Sequence, residues 1–142
     1  MENLGLYMVY VVEGIFVLAL LFAGGLSCKF PLKYQTALDY IVPDGKYYGK
    51  FLAGYPLRYP YYSSKRALSD KEKWDFAQKT YGKYLLLSAV MQTVIGVFWY
   101  QIAEFAISIT KWDDAGMIII ICPVFVFILM SNVLTEIRIK RL

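Results

Sequence analysis

The sequence predicts an all-α membrane fold of three transmembrane helices, and three observations carry that prediction. The chain of 142 residues is 58% hydrophobic, with its apolar residues gathered in three runs, 4–27, 84–107 and 115–135. Each run is near the ~20 residues that a helix rising ~1.5 Å per residue needs to cross a hydrocarbon core. Lys and Arg keep to one side of the runs: eleven lie between Lys29 and Lys83, three in the tail at Arg138, Lys140 and Arg141, and Lys111 alone on the other side. By the positive-inside rule this places the C-terminus and the 28–83 region in the cytoplasm and the N-terminus and the 110–114 turn outside. The same split explains the net charge of +4 without a nucleic-acid partner.

Too few apolar residues remain outside the runs for a second folding unit, so 1–142 reads as a single membrane domain. The first run reads as a span rather than a cleaved signal peptide. Its flank, Met1-Glu2-Asn3, has no Lys or Arg, and the run exceeds a usual signal core.

A cytoplasmic insert, 28–68, follows. It alternates prolines and glycines with tyrosines and basic residues, and Pro43-Asp44-Gly45 could close a small hairpin because Gly accepts positive φ. Aromatic and basic residues beside a bilayer most simply sit at lipid headgroups; a protein partner is the second reading. No nucleic-acid module or glycine-rich phosphate loop is present.

The stalk, 69–83, opens on Ser69-Asp70-Lys71-Glu72, which has the form of a capping box. With no proline before Pro123, the helix should run through Trp74 into the second span. Trp74, Ala77, Tyr81 and Tyr84 recur at helical spacing and form a stripe that must cover the insert, the membrane surface or a partner, the insert being the simplest choice.

The same stretch carries a family resemblance. Trp74-Asp75-Phe76-Ala77-Gln78-Lys79-Thr80-Tyr81-Gly82-Lys83 resembles the motif W-x-x-A-[N/H/Q]-x-x-x-G-K that leads into a membrane helix in the SdpI family of small bacterial polytopic membrane proteins. A preceding span, a basic proline-containing segment (Lys29-Phe30-Pro31-Leu32-Lys33) and a third span follow the same order. Where the family carries Gly-Tyr-Arg-Thr, ungapped counting places Tyr61-Tyr62-Ser63-Ser64, of which Tyr62 and the later Arg66 fit. The resemblance implies a bacterial plasma-membrane protein giving immunity to a toxin, with Trp74, Ala77, Gln78, Tyr81, Gly82, Lys83 and Arg66 as candidate interaction residues.

Chemistry is sparse. There is no His, and Cys28 and Cys122 should lie at different depths, so neither a metal site nor a disulfide is expected. No catalytic residue and no cofactor is assigned, and the chain reads as non-enzymatic. Three intramembrane polar residues stand out: Glu13, Gln92 and Gln101. An intramembrane carboxyl is costly and by default a functional candidate. Counting from the outer edge sets Glu13 beside Gly96 to Gln101 and Ile120 to Val124, with Gln101, Tyr100 and Tyr10 as expected partners and Gln92 as separate interhelical glue. Ala19 and Ala23 with Gly24 in the first span, and Ala89, Thr93 and Gly96 in the second, offer small-residue contact faces, and Pro123 should kink the third helix.

The leading expectation is an SdpI-like protein that protects against, or senses, a membrane-active peptide or protein toxin. The alternative is a structural accessory subunit of a larger membrane complex; the third is an ion-conducting oligomer centred on Glu13. Beyond the lipid bilayer, other membrane subunits or further copies of the chain are the expected partners, because three spans have little interior of their own.

Overall fold

Every element in the computed structural model, which describes the backbone of residues 2–41, 61–110 and 115–142, is helical. Helix α1 covers Glu2–Lys29, α2 Tyr34–Ile41, α3 Lys71–Val97, α4 Trp99–Thr110 and α5 Ala115–Ile139, with a 3₁₀ turn at Ala67–Ser69. Among the described residues, two segments are long and apolar enough to cross a membrane, Met8–Lys29 and Ile118–Ile139.

The second apolar run is not one helix. It is interrupted at Phe98, whose backbone leaves the helical region at φ −97°, ψ 9°. No proline causes this. Gly96 is a poor helix former, and Val97-Phe98-Trp99-Tyr100 is a β-branched and aromatic cluster that loses rotamer freedom in a helix, so local propensity is weakest here.

The stalk start also differs from the capping box read in the sequence. The helix begins at Lys71 with Asp70 as its N-cap, and no side chain caps it. Ser69 belongs to the preceding turn, where its hydroxyl donates to the Arg66 carbonyl at 2.8 Å. Ser64 Oγ accepts the Ala67 amide at 3.1 Å and its carbonyl accepts the Leu68 amide at 3.0 Å, and this turn occupies the serine that a capping box would need. The insert therefore has its own structure, with α2 inside 28–68 and the 3₁₀ turn across its end; the Pro43-Asp44-Gly45 hairpin lies outside the described residues.

Helix α3 is the axis of the fold, with α1 antiparallel on one side, α5 on another, and α2 and the 3₁₀ turn against its first turns. Its contact with α1 is close because both helices present glycine. A Cβ on Gly82 would stand 2.7 Å from Cys28 Sγ and 2.8 Å from the Gly24 carbonyl oxygen, and one on Gly24 would stand 2.9 Å from the Gly82 carbonyl oxygen. Backbones at this distance gain dispersion contact that lipid cannot replace.

Gly82→Ala should therefore force α1 and α3 apart and cost about 1–3 kcal/mol. Gly25→Ala, where a Cβ meets nothing within 4 Å, should change little. Thermal unfolding of both variants in one detergent checks the contrast, and equal effects would remove the close approach from the argument.

The main hydrophobic core sits at the stalk end, built from Tyr62, Leu68, Trp74, Tyr81, Leu85 and Ile139 with smaller neighbours. Along the apolar runs the outward faces carry exposed Leu18, Phe22, Phe125 and Leu129, the pattern of helices solvated by lipid.

Candidate functional site

Two polar centres lie along α3, one where the insert meets the stalk and one near its far end. At the first, the motif residues Trp74, Ala77, Gln78, Tyr81 and Gly82 are all buried, while Lys79 and Lys83 are exposed. The spacing explains this: positions 74, 77, 78, 81 and 82 fall on one stripe of a 3.6-residue helix, and 79 and 83 lie beside it. Trp74 donates its indole N–H to the Leu32 carbonyl at 2.7 Å and so ties the start of the insert to the stalk.

Gln78 ties the end of the insert. Its Oε1 accepts the Tyr62 amide at 3.1 Å and its Nε2 donates to the Tyr62 carbonyl at 2.6 Å. A single side-chain amide thus satisfies both backbone groups of one residue, as a neighbouring strand would. The Tyr34 hydroxyl donates to the Leu68 carbonyl at 2.7 Å and closes α2 over the same turn.

Glu136, near the end of α5, completes the junction. One carboxylate oxygen accepts the Tyr62 hydroxyl and the other pairs with Arg66 at 2.5 Å. This is a half-exposed pair, of modest energy by itself, but it joins the insert to the last helix across 70 residues of sequence. The Tyr62 ring also lies 5.5 Å from that of Tyr81, centroid to centroid. Burial pushes the Tyr81 phenol above its ordinary range, and a hydrogen bond with Asn132 acts against that shift.

The second centre is the intramembrane carboxyl. Glu13 is buried at 6% exposure and Gln92 is fully buried. Gln92 Nε2 donates to Glu13 Oε2 at 2.8 Å and to the Ile120 carbonyl at 3.1 Å, so one amide joins α1, α3 and α5. The expected partners are corrected here: Gln92, not Gln101, meets the carboxyl. Gln101 is exposed, Tyr10 packs edge-on against Trp99 at 6.2 Å, and the Tyr100 side chain lies outside the described residues.

Depth counting brought the backbones of Gly96 and Ile120 to the right level but takes no account of side-chain reach, and Gly96 leaves the space that the Glu13 carboxyl occupies. A Cβ on Gly96 would stand 2.8 Å from both Glu13 Cγ and Glu13 Oε1. Pro123 contributes too. It has no amide to offer the Ile119 carbonyl, and the adjacent Ile120 carbonyl is the one that takes the Gln92 N–H.

Of the small-residue faces, Gly24, Ala89 and Gly96 are buried, whereas Ala19 and Thr93 are exposed, the Thr93 hydroxyl bonding back to the Ala89 carbonyl at 2.9 Å. Ser88 and Ser131 approach to 3.4 Å between α3 and α5. No group of three or more potential metal-ligating His, Cys, Asp or Glu occurs among the described residues. Sequence reasoning missed Glu136 and the Tyr62 backbone as parts of the junction; the signal for Glu136 was a carboxylate just inside a basic tail. No family model, curated protein or solved structure matches the chain.

Proposed function

We propose that the chain is an integral protein of a bacterial plasma membrane that crosses the bilayer three times, with its N-terminus outside and its insert and C-terminus in the cytoplasm. It acts without catalysis, as an SdpI-like protein that protects against, or senses, a membrane-active peptide or protein toxin. The observation that supports this reading is the use made of the motif. Trp74, Ala77, Gln78, Tyr81 and Gly82, the residues that carry the resemblance, form one buried stripe that fastens the insert and α1 to the stalk. A motif spent on architecture supports likeness of fold, and the exposed Lys79 and Lys83 remain as contact residues at the membrane surface.

Expression of the chain alone in a sensitive cell should raise survival under a membrane-active peptide toxin. A Lys79→Ala/Lys83→Ala double variant should reduce protection without loss of protein. Survival unchanged by the wild-type chain across such toxins would end the immunity reading.

The exposed apolar faces support the second reading, an accessory subunit. Leu18, Phe22, Phe105 and Phe125 are each at least 60% exposed and would meet lipid or other subunits. Stoichiometric co-purification with a complex, and instability without it, would favour that role.

The topology has its own test. Asn3→Cys and Asp113→Cys should react with a membrane-impermeant maleimide in intact cells, and Ser64→Cys should not, with the labelled site read by peptide mass spectrometry. Reversed accessibility would overturn the orientation that the positive-inside rule implies.

A further inference from the structure

Two buried oxygens without a hydrogen-bond partner, Glu13 Oε1 and Gln92 Oε1, belong to the same pair of side chains. The pairing is informative because a buried unpaired polar atom is rare and costly. Both amide hydrogens of Gln92 are already used, on Glu13 Oε2 and the Ile120 carbonyl, so Gln92 keeps only an acceptor. An ionised Glu13 also has only acceptors. Exchanging the oxygen and nitrogen of Gln92 does not help, since the oxygen would then face Glu13 Oε2 and the Ile120 carbonyl, two further acceptors.

One added proton removes both defects. On Glu13 Oε1 it would supply the donor that Gln92 Oε1 lacks and, with the existing N–H···O bond, would let the acid and the amide close an eight-membered ring. No bond breaks and no other reactant is needed. A metal ion fits less well: with Gln92 Nε2 bound to Glu13 Oε2 and the Ile120 carbonyl, it would find only the two free oxygens.

The groups that face Glu13 are Gln92 and Gly96 from α3 and the Ile120 carbonyl from α5, with Tyr10 on its own helix. None of these is a cation, and the Arg66–Glu136 ion pair lies away from it, at the junction with the insert. A groove of about 350 Å³ between α1 and α3, lined by Tyr10, Gly14, Leu18, Thr93 and Val97, leads to Glu13 from outside the helices.

We propose that Glu13 and Gln92 form an intramembrane proton-binding site, in which a proton held on Glu13 Oε1 closes an acid–amide ring that latches α1 to α3. Gly96 is part of the site, because any side chain there would displace the carboxyl. The inference rests on the bilayer part of the reading above and not on the toxin; the maleimide topology experiment tests the bilayer part separately.

Infrared spectra of the full chain in lipid nanodiscs at neutral pH test it. The wild type should show the carbonyl stretch of a protonated carboxyl, and Glu13→Gln should lack it. Gln92→Leu should keep that band but move it to higher wavenumber, because the acid loses both its donor and its acceptor. Raising the pH should remove the band and weaken native-size integrity in the wild type. Glu13→Gln, whose amide–amide ring keeps both bonds, should be insensitive.

A second measurement needs no variant. An apolar carbodiimide reaches protonated carboxyls from lipid, and the peptide containing Glu13 should gain the mass of one reagent. An ionised Glu13 at neutral pH, a band that follows sodium rather than pH, an unmoved band in Gln92→Leu, or an unmodified Glu13 peptide would each overturn the proposal.

Discussion

Trp74→Ala is expected to cost about 3–5 kcal/mol, the range for emptying a fully buried aromatic site, and to release the insert from the stalk. Trp74 is completely buried and lies in the core that joins the insert, α3 and the end of α5. Its indole N–H is also the hydrogen bond that holds the Leu32 carbonyl, so the substitution leaves both a void and an unpaired acceptor. Brief trypsin treatment of the detergent-solubilised protein should cut faster after Lys33 and Lys65, and the Tm should fall. Lys73→Ala, on the neighbouring face, should do neither. An unaltered digestion pattern in Trp74→Ala would mean that the insert is held by something other than this contact.

Gln78→Leu should be nearly as damaging, by a different mechanism. Leucine fills much the same space but cannot bond, so the amide and the carbonyl of Tyr62 both lose their partner at a buried position. At roughly 1–3 kcal/mol for each of the two buried unpaired groups, the expected loss is about 2–6 kcal/mol. Gln78→Glu should fall between the two, since a carboxylate can still accept the Tyr62 amide but repels its carbonyl. Hydrogen exchange at the Tyr62 amide reads this directly. Protection equal to wild type in Gln78→Leu would show that the two bonds do not hold the segment.

Much of this architecture was legible because it depends on short-range periodicity. Trp74, Ala77 and Tyr81 announced a buried stripe, and the long apolar runs gave α1 and α5 without ambiguity. Tertiary pairings were harder. Helical spacing puts Gln78 on the buried stripe, but nothing local shows that it clamps a backbone 16 residues away. Gln92 was read as glue and Glu13 as a costly carboxyl, yet their pairing was missed because depth counting aligns Cα positions and ignores side-chain reach. The break at Phe98 carries no proline signal, and its origin in a cluster of weak helix formers is visible only when the propensities are summed. The Ser69 capping box failed because a hydroxyl can serve only one turn, and the preceding 3₁₀ turn had taken it.

Cys28 gives the glycine seam between α1 and α3 a chemical clock. Its sulfur sits where a Gly82 side chain would be and its thiol points at the Lys79 carbonyl at 3.8 Å, whereas Cys122 lies exposed on α5. Cys28 is half-buried against Gly82, so its alkylation quickens whenever the two helices part at that end. Cys122, exposed on the lipid-facing length of α5, supplies the reference for an apolar reagent within the same molecule. The native chain can thus be timed as it opens and closes without a single engineered residue.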